Sequence, residues 1–245
     1  MANVFIGMET SGVLRRAFQA AGHDVISCDL LPAVDVGFGH IQGDVFEVLD
    51  RLKRKSDWWP ELAIFHPTCT YLTISAAWAF NDPDFDKYPG VGYHQKVKPG
   101  TLVGADRRNA RDEQIQHVDK LWKLPIRKKV IENPIGSLST MWRKPTQVVQ
   151  PFWAGDDASK ATCFWIDGLM PLRFDPSWRC AGRMAEWPKG SGKLVERWSN
   201  QTDSGQSNAT PSDDRWQQRS ETFPLLGNVM VRQWSLELSK EAKAA

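Results

Sequence analysis

At 245 residues, 41% of them hydrophobic and 24% charged, the chain is long enough for one sizeable core and a small appendage. A formal net charge of +2 gives no whole-chain field that would single out nucleic acid as a partner. No apolar run of about eighteen residues occurs, and the start, MANVFIG, has no charged stretch leading into a long apolar one, so a soluble, cytoplasmic protein is expected.

In chain order, Val4-Phe5-Ile6 reads as a first strand running into the small-residue turn Gly7 to Gly12. Val13, Leu14, Ala17, Phe18 and Ala21 then recur at helical spacing, with Thr10 or Ser11 as candidate N-cap and Gly22 as terminator. A turn of this kind exposes backbone N–H groups at a helix N-terminus to a cofactor. Val25 to Cys28 is a second strand ending on Asp29, and an acid about twenty residues after the first turn is where doubly wound folds grip a nucleotide ribose. The competing reading is an ordinary loop or capping aspartate. Gly37 to Gly43 is a glycine-bearing loop, and Asp44 precedes a helix with apolar positions Val45, Val48, Leu49 and Leu52, closed by Lys53-Arg54-Lys55.

The centre of the chain is Leu62 to Thr73, LAIFHPTCTYLT. Leu62 to Phe65 reads as a short buried strand, and His66-Pro67 ends it because proline donates no ladder hydrogen bond. Cys69 is thereby delivered to a strand's carboxyl end, where open α/β sheets keep their ligand crevices. The alternative is an inert buried thiol. His66-x-x-Cys69 could also be half a metal site, but no second pair at ligand spacing accompanies it, and Cys28, Cys163 and Cys180 are scattered, so no metal is expected.

Ser75 to Pro99 reads as a long ordered flap, carrying Trp78, Phe80, Phe85, Tyr88 and Tyr93. Asp106 to Lys123 is a helix stopped by Pro125, and Lys129 to Ile131 is a strand ending on Glu132-Asn133-Pro134. Thr146 to Pro151 and Lys160 to Ile166 are further strands, Lys160 being either a site cation or a solvated edge-strand lysine. Ser177 to Arg219 is basic and tryptophan-bearing, with a low-complexity run expected to be mobile. Leu225 to Lys240 closes the chain as a helix buried along Leu226, Val229, Met230, Trp234 and Leu238. If the sheet is parallel, Gly7 to Glu9, Asp29, Asp44, Cys69 and Glu132 all fall on one edge, joining a nucleotide-type pocket to a thiol and an acid.

The ordered motifs VFIGMETSG, CDL, IQGDV, HPTCTYL, IENP, KATCFW and RSETFPLLGNVM resemble the cytosine-C5 DNA methyltransferases, most nearly the short phage and prophage ones. The resemblance implies an α/β Rossmann-like sheet that binds S-adenosylmethionine, built from residues 1–176 and 220–245, with 177–219 as a reduced target-recognition segment. It implies Cys69 as the nucleophile on pyrimidine C6, Glu132 as the acid facing N3 and the exocyclic amine, and Lys160 beside them. Cofactor contacts would come from Glu9, Thr10, Ser11 and Gly12, from Asp29 and Leu30 at the ribose, from Asp44 and Val45 at the adenine, and from Asn228. Glu132 would need to be protonated, and a desolvated crevice would raise its pKa to that end. The partner would be duplex DNA with its cytosine flipped out.

The sequence departs from the family pattern at Thr68, at Thr10 and at Lys160-Ala161-Thr162, where the family carries a proline, a phenylalanine and an arginine motif. The same chemistry on RNA or a free pyrimidine nucleotide, and a non-catalytic binding protein, are the alternatives. A nicotinamide dehydrogenase lacks its G-x-G-x-x-G after the first strand.

Overall fold

The computed structural model describes residues 1–35, 37–82, 100–209 and 222–242. Its framework is a seven-stranded, mostly parallel sheet: β1 (Asn3–Gly7), β2 (Asp24–Asp29), β3 (His40–Gln42), β4 (Leu62–Phe65), β5 (Lys128–Pro134), β6 (Gln147–Val149) and β7 (Thr162–Asp167). The order across the sheet is β3-β2-β1-β4-β5-β7-β6. β1 to β5 pair in parallel, and β7 runs antiparallel to both β5 and β6. The fold is therefore a doubly wound α/β sheet whose strand order reverses between β1 and β4, the place where such folds take ligands.

Alternation along each strand divides the core. Val4, Ile6, Leu62, Ile64, Val130 and Phe164 pack with helix α1 (Val13–Ala20) and helix α6 (Pro224–Ala242). Phe5, Ala63, Phe65, Ile131, Cys163 and Trp165 pack on the other face with α2 (Val45–Ser56), α3 (Gly104–Trp122) and α4 (Ser137–Met141). β4 is buried at every position, as expected of a strand covered on both faces. The stripe expected on the last helix is the buried one: Leu226, Val229, Met230, Trp234 and Leu238 are each at most 8% exposed.

Several expectations change. β7 begins at Thr162, so Lys160 precedes the strand, and β6 rather than β7 is the sheet edge. Glu132 does not follow β5 but lies within it, because the antiparallel ladder pairs Glu132 with Phe164 beyond the point where β4 stops. The α1 N-cap is Gly12, in the left-handed region at φ 69°, and not Thr10 or Ser11. A side chain there would run into Asp35, Arg15 and Arg16, which form ion pairs tying the turn to the loop after β2.

Residues 210–214 of the low-complexity run expected to be mobile lie outside the described residues, and ahead of that run the segment after Ser177 contains a ribbon, β8 (Arg183–Glu186) paired antiparallel with β9 (Leu194–Arg197). It is anchored by Trp198, stacked on Phe152 of α5 (Pro151–Ala154) at 3.9 Å between centroids and 9° between planes. The expected flap begins as a 3₁₀ segment, Ile74–Phe80, while its Phe85, Tyr88 and Tyr93 lie outside the described residues. Among the described residues no helix is long and apolar enough to cross a membrane.

Candidate active site

β4 ends at Phe65 while β5 runs on to Pro134, and their register, Phe65 beside Ile131, places His66 next to Glu132. The His66 N–H donates to the Gly7 carbonyl at 3.0 Å, so β1 fixes the first residue of the loop. His66 Nδ1 lies 3.2 Å from Glu132 Oε2. Pro67 follows, and its carbonyl accepts from Asn133 Nδ2 at 2.7 Å, a second tie between the loop and β5.

Cys69, half-buried, stands two residues later. Its carbonyl accepts from the Leu72 and Thr73 N–H groups at 2.9 and 3.0 Å, closing a tight turn. Gly136 makes the next crossing possible: a Cβ there would sit 1.8 Å from the Leu72 carbonyl oxygen. Ser137 N–H donates to that same oxygen at 2.7 Å. The IENPIG stretch thus both presents Glu132 and clasps the loop that carries Cys69.

Lys160 is brought to the same place and is no solvated edge lysine. With His66, Glu132, Thr162, Phe164, Thr222, Phe223, Leu226 and Met230 it lines a narrow cleft of about 10 Å³, room for about one water. Burial alone would raise the Glu132 pKa, but the His66 hydrogen bond, helped by the Lys160 charge, outweighs it and holds the carboxyl below the usual range. The expected rise is therefore overturned. Desolvation is real, yet two nitrogen groups face the carboxylate in the desolvated space.

The sequence-expected cofactor residues gather at the ends of β1 and β2. Glu9 is buried, its Oε1 accepts from the Ser11 hydroxyl, and its Oε2 has no hydrogen-bond partner among the described residues. The Met8 N–H donates to the Cys28 carbonyl at 2.6 Å, and the Thr10 carbonyl accepts from Val34 N–H, which shapes the turn. Asp29 accepts from Leu31 N–H at 2.8 Å, and burial pushes its carboxyl up. Leu30 is exposed and Val45 buried. Asp44 caps α2, its Oδ1 accepting from Phe46 and Glu47 N–H at 2.9 and 3.2 Å. Asn228 is exposed on α6, one residue after Gly227, where a Cβ would stand 3.3 Å from Leu14 of α1.

The residue that sequence reading undervalued is His66. The sequence pattern marks it as a strand terminator or half a metal site, whereas it is the hydrogen-bond partner of Glu132. A parallel register running Phe65 beside Ile131 puts the next residue of each strand together, and that parity was the available signal.

Fold and site together define a doubly wound α/β protein in which a carboxylate, an imidazole and an ammonium group line one cleft at the end of β4, while the Cys69 thiol sits on the loop that His66 begins and is not among the residues lining that cleft. No family model matches the chain, and no curated protein does. Among solved structures it is similar to an E. coli protein described as a "putative DNA modification methyltransferase encoded within prophage", at 16% identity and a TM-score of 0.39, over 72% of this chain and 52% of that one. The chain thus spans about half the length of that protein, and a superposition this loose carries neither residues nor activity across.

Proposed function

We propose that the protein methylates C5 of cytosine in DNA, with Cys69 as nucleophile and S-adenosylmethionine as methyl donor. The observation that supports this best is the cleft shared by Glu132, Lys160 and His66, the last being the first residue of the loop that carries Cys69. Cytosine C5 is a weak nucleophile; sulfur addition at C6 makes it enamine-like and able to take a methyl group, after which loss of the C5 proton expels the sulfur. In this reading Glu132 and Lys160 meet the edge of the ring from a cleft that at about 10 Å³ takes a water and opens to take the base, with Phe164, Phe223, Leu226 and Met230 as its apolar wall.

S-adenosylmethionine supplies an electrophilic methyl group when bound. The residues present suit it: the buried Glu9 Oε2, without a hydrogen-bond partner among the described residues, matches a cationic amino group, and Asp29 at the end of β2 matches ribose hydroxyls. Thr10, Ser11, Gly12, Leu30, Asp44, Val45 and Asn228 complete the assignment.

DNA contact falls in this reading to residues 177–219, chiefly the β8–β9 ribbon. Trp187 is 40% exposed there, with Lys189 and Lys193 exposed at the turn. A two-stranded ribbon is of a size to enter a major groove. The other tryptophans between 153 and 198 speak for packing: Trp165 is fully buried, Trp198 stacks on Phe152, and Trp153 and Trp178 pack on the core.

The test is a duplex carrying 5-fluorocytosine, which cannot lose its C5 substituent as a proton. A covalent protein–DNA adduct is expected with S-adenosylmethionine present, and none from Cys69→Ser. Methyl transfer by Cys69→Ser at the parent rate would end the proposal; transfer to RNA or dCMP in place of duplex DNA would keep the chemistry and change the substrate.

A further inference from the structure

We propose that His66 and Glu132 form one proton-holding unit, in which His66, acting through the Glu132 carboxyl, supplies the proton that cytosine N3 takes up as C6 is attacked. The inference rests on the cytosine reading above and adds a positioning residue to it.

Geometry carries the argument. His66 is held on both sides, by its N–H on Gly7 and by Nδ1 at 3.2 Å from Glu132 Oε2. Its Nε2 is buried and has no hydrogen-bond partner among the described residues, so its one described side-chain hydrogen bond is the one to the carboxylate. An imidazole bonded to a carboxylate through Nδ1 presents its N–H there, which fixes where its proton goes. The surrounding wall leaves few competitors. Among the described residues Lys160, before β7, is the one other charged residue lining the cleft; β7 adds Thr162 and Phe164, residues 222 and 223 are Thr and Phe, and α6 adds Leu226 and Met230.

The chemistry then needs such a store. His66 and Lys160 keep Glu132 ionised despite its burial, so at rest the carboxyl has no proton of its own to give. When the Cys69 sulfur bonds to C6, the C5=C6 electron pair shifts toward N3, and N3 must accept a proton for a neutral enamine to form. A protonated His66 passes its Nδ1 proton to the Glu132 carboxylate, which then hands that same proton to N3, leaving neutral imidazole and a carboxylate ionised as before. Elimination of sulfur returns the proton along the same path. One proton moves and nothing is oxidised or reduced.

A hydrogen bond alone and a proton store are separable by His66→Asn, whose amide nitrogen falls near the Nδ1 position and donates to Glu132 but takes up no proton. With single-turnover methyl transfer to a cytosine duplex, the parent rate is expected to fall on an alkaline limb as His66 gives up its proton. His66→Asn is expected to be slower by about 100-fold or more and to lose that limb. In carbonyl-labelled protein, the Glu132 carboxyl resonance should show a step above the glutamate range that His66→Asn abolishes, with Lys160→Met retaining it. Parent-like rate and pH profile in His66→Asn, or no such step in the parent, would overturn the proposal. If the parent transfers no methyl group to DNA, the cytosine reading fails by itself, and the resonance alone decides whether the unit exists.

Discussion

Arg107, in the first turn of α3, donates from Nη2 to the Thr70 carbonyl at 2.9 Å and from Nη1 to the Leu102 carbonyl at 3.3 Å. Its guanidinium lies 5.3 Å from the Tyr71 ring centre and 5.1 Å from that of Phe80, and the residue is 4% exposed. A buried charge needs partners for its donors; Nε has none among the described residues, but both Nη atoms are used, and Nη2 grips the residue next to Cys69. The loop bearing the proposed nucleophile is thus fastened to a helix that contributes no reacting group.

Replacing Arg107 by methionine keeps much of the bulk and removes both hydrogen bonds. Bonds from a charged donor contribute about 1.5–3 kcal/mol each, so the expected loss is of that order, read as a lowered urea midpoint. The 5-fluorocytosine adduct should form more slowly, since the sulfur's approach is no longer fixed. An adduct rate equal to the parent's would show that Pro67 and Gly136 suffice to hold the loop.

The thiols differ in what they can do. Cys28 is fully buried with Sγ 3.2 Å from the Gly43 carbonyl, and burial, reinforced by the Asp29 and Asp44 charges, pushes its pKa to about 12. Burial raises Cys163 as well. Iodoacetamide at pH 8 should therefore modify half-buried Cys69 and Cys180 in the native protein and reach Cys28 and Cys163 only after unfolding, because the thiolate is the reacting form. Peptide mapping reads the order directly, and native labelling of Cys28 would contradict it.

Much of this was legible in advance where the pattern was local. LAIF bounded by a proline announces a buried strand, and the spacing of Leu226, Val229, Met230, Trp234 and Leu238 announces the covered face of a helix. What pairing decides was not legible. Nothing in TCFWID says that it runs against β5, and that reversal is what keeps Glu132 inside a ladder. The Glu132 charge state was misread for a related reason: desolvation follows from one residue's burial, but the opposing contributions come from His66, 66 positions away, and from Lys160. The β8–β9 ribbon was hidden because its strands bury little, Ala185 being the one buried residue of β8.

Acid should weaken the fold partly through Glu132. A carboxyl held below its unfolded value contributes stability that is fully present above the unfolded glutamate range, near ~4.3, and is lost as pH falls through the folded value. Asp35 has the same sign: burial opposes, but its bonds to Arg16 and Arg15 win. Asp29 and Asp156, raised by burial, act in the opposite sense, so the parent's slope mixes both. Comparing urea midpoints at pH 7 and pH 4 isolates Glu132: Glu132→Gln should be the less stable protein at pH 7 and lose less on acidification. An equal loss in both would mean that Glu132 is not held ionised.

Trp198 tests whether the recognition segment is part of the folded domain. Its ring stacks on Phe152, its Nε1 donates to the Cys180 carbonyl at 3.1 Å, and the Arg179 guanidinium lies 5.7 Å from its centre while bonding Glu196 of β9. Trp198→Ala should cost about 3–5 kcal/mol where the site cannot collapse. Trp198→Phe, which keeps the stack and loses one hydrogen bond, should cost about 1 kcal/mol. Because the ribbon has little core of its own, the alanine variant is expected to release it, and trypsin should cut after Arg183, Lys189 and Lys193 sooner than after Lys53 in α2. If cleavage in the ribbon is equally fast in the parent, the stack does not anchor it, and DNA contact by a preformed ribbon would have to be replaced by one that orders on binding.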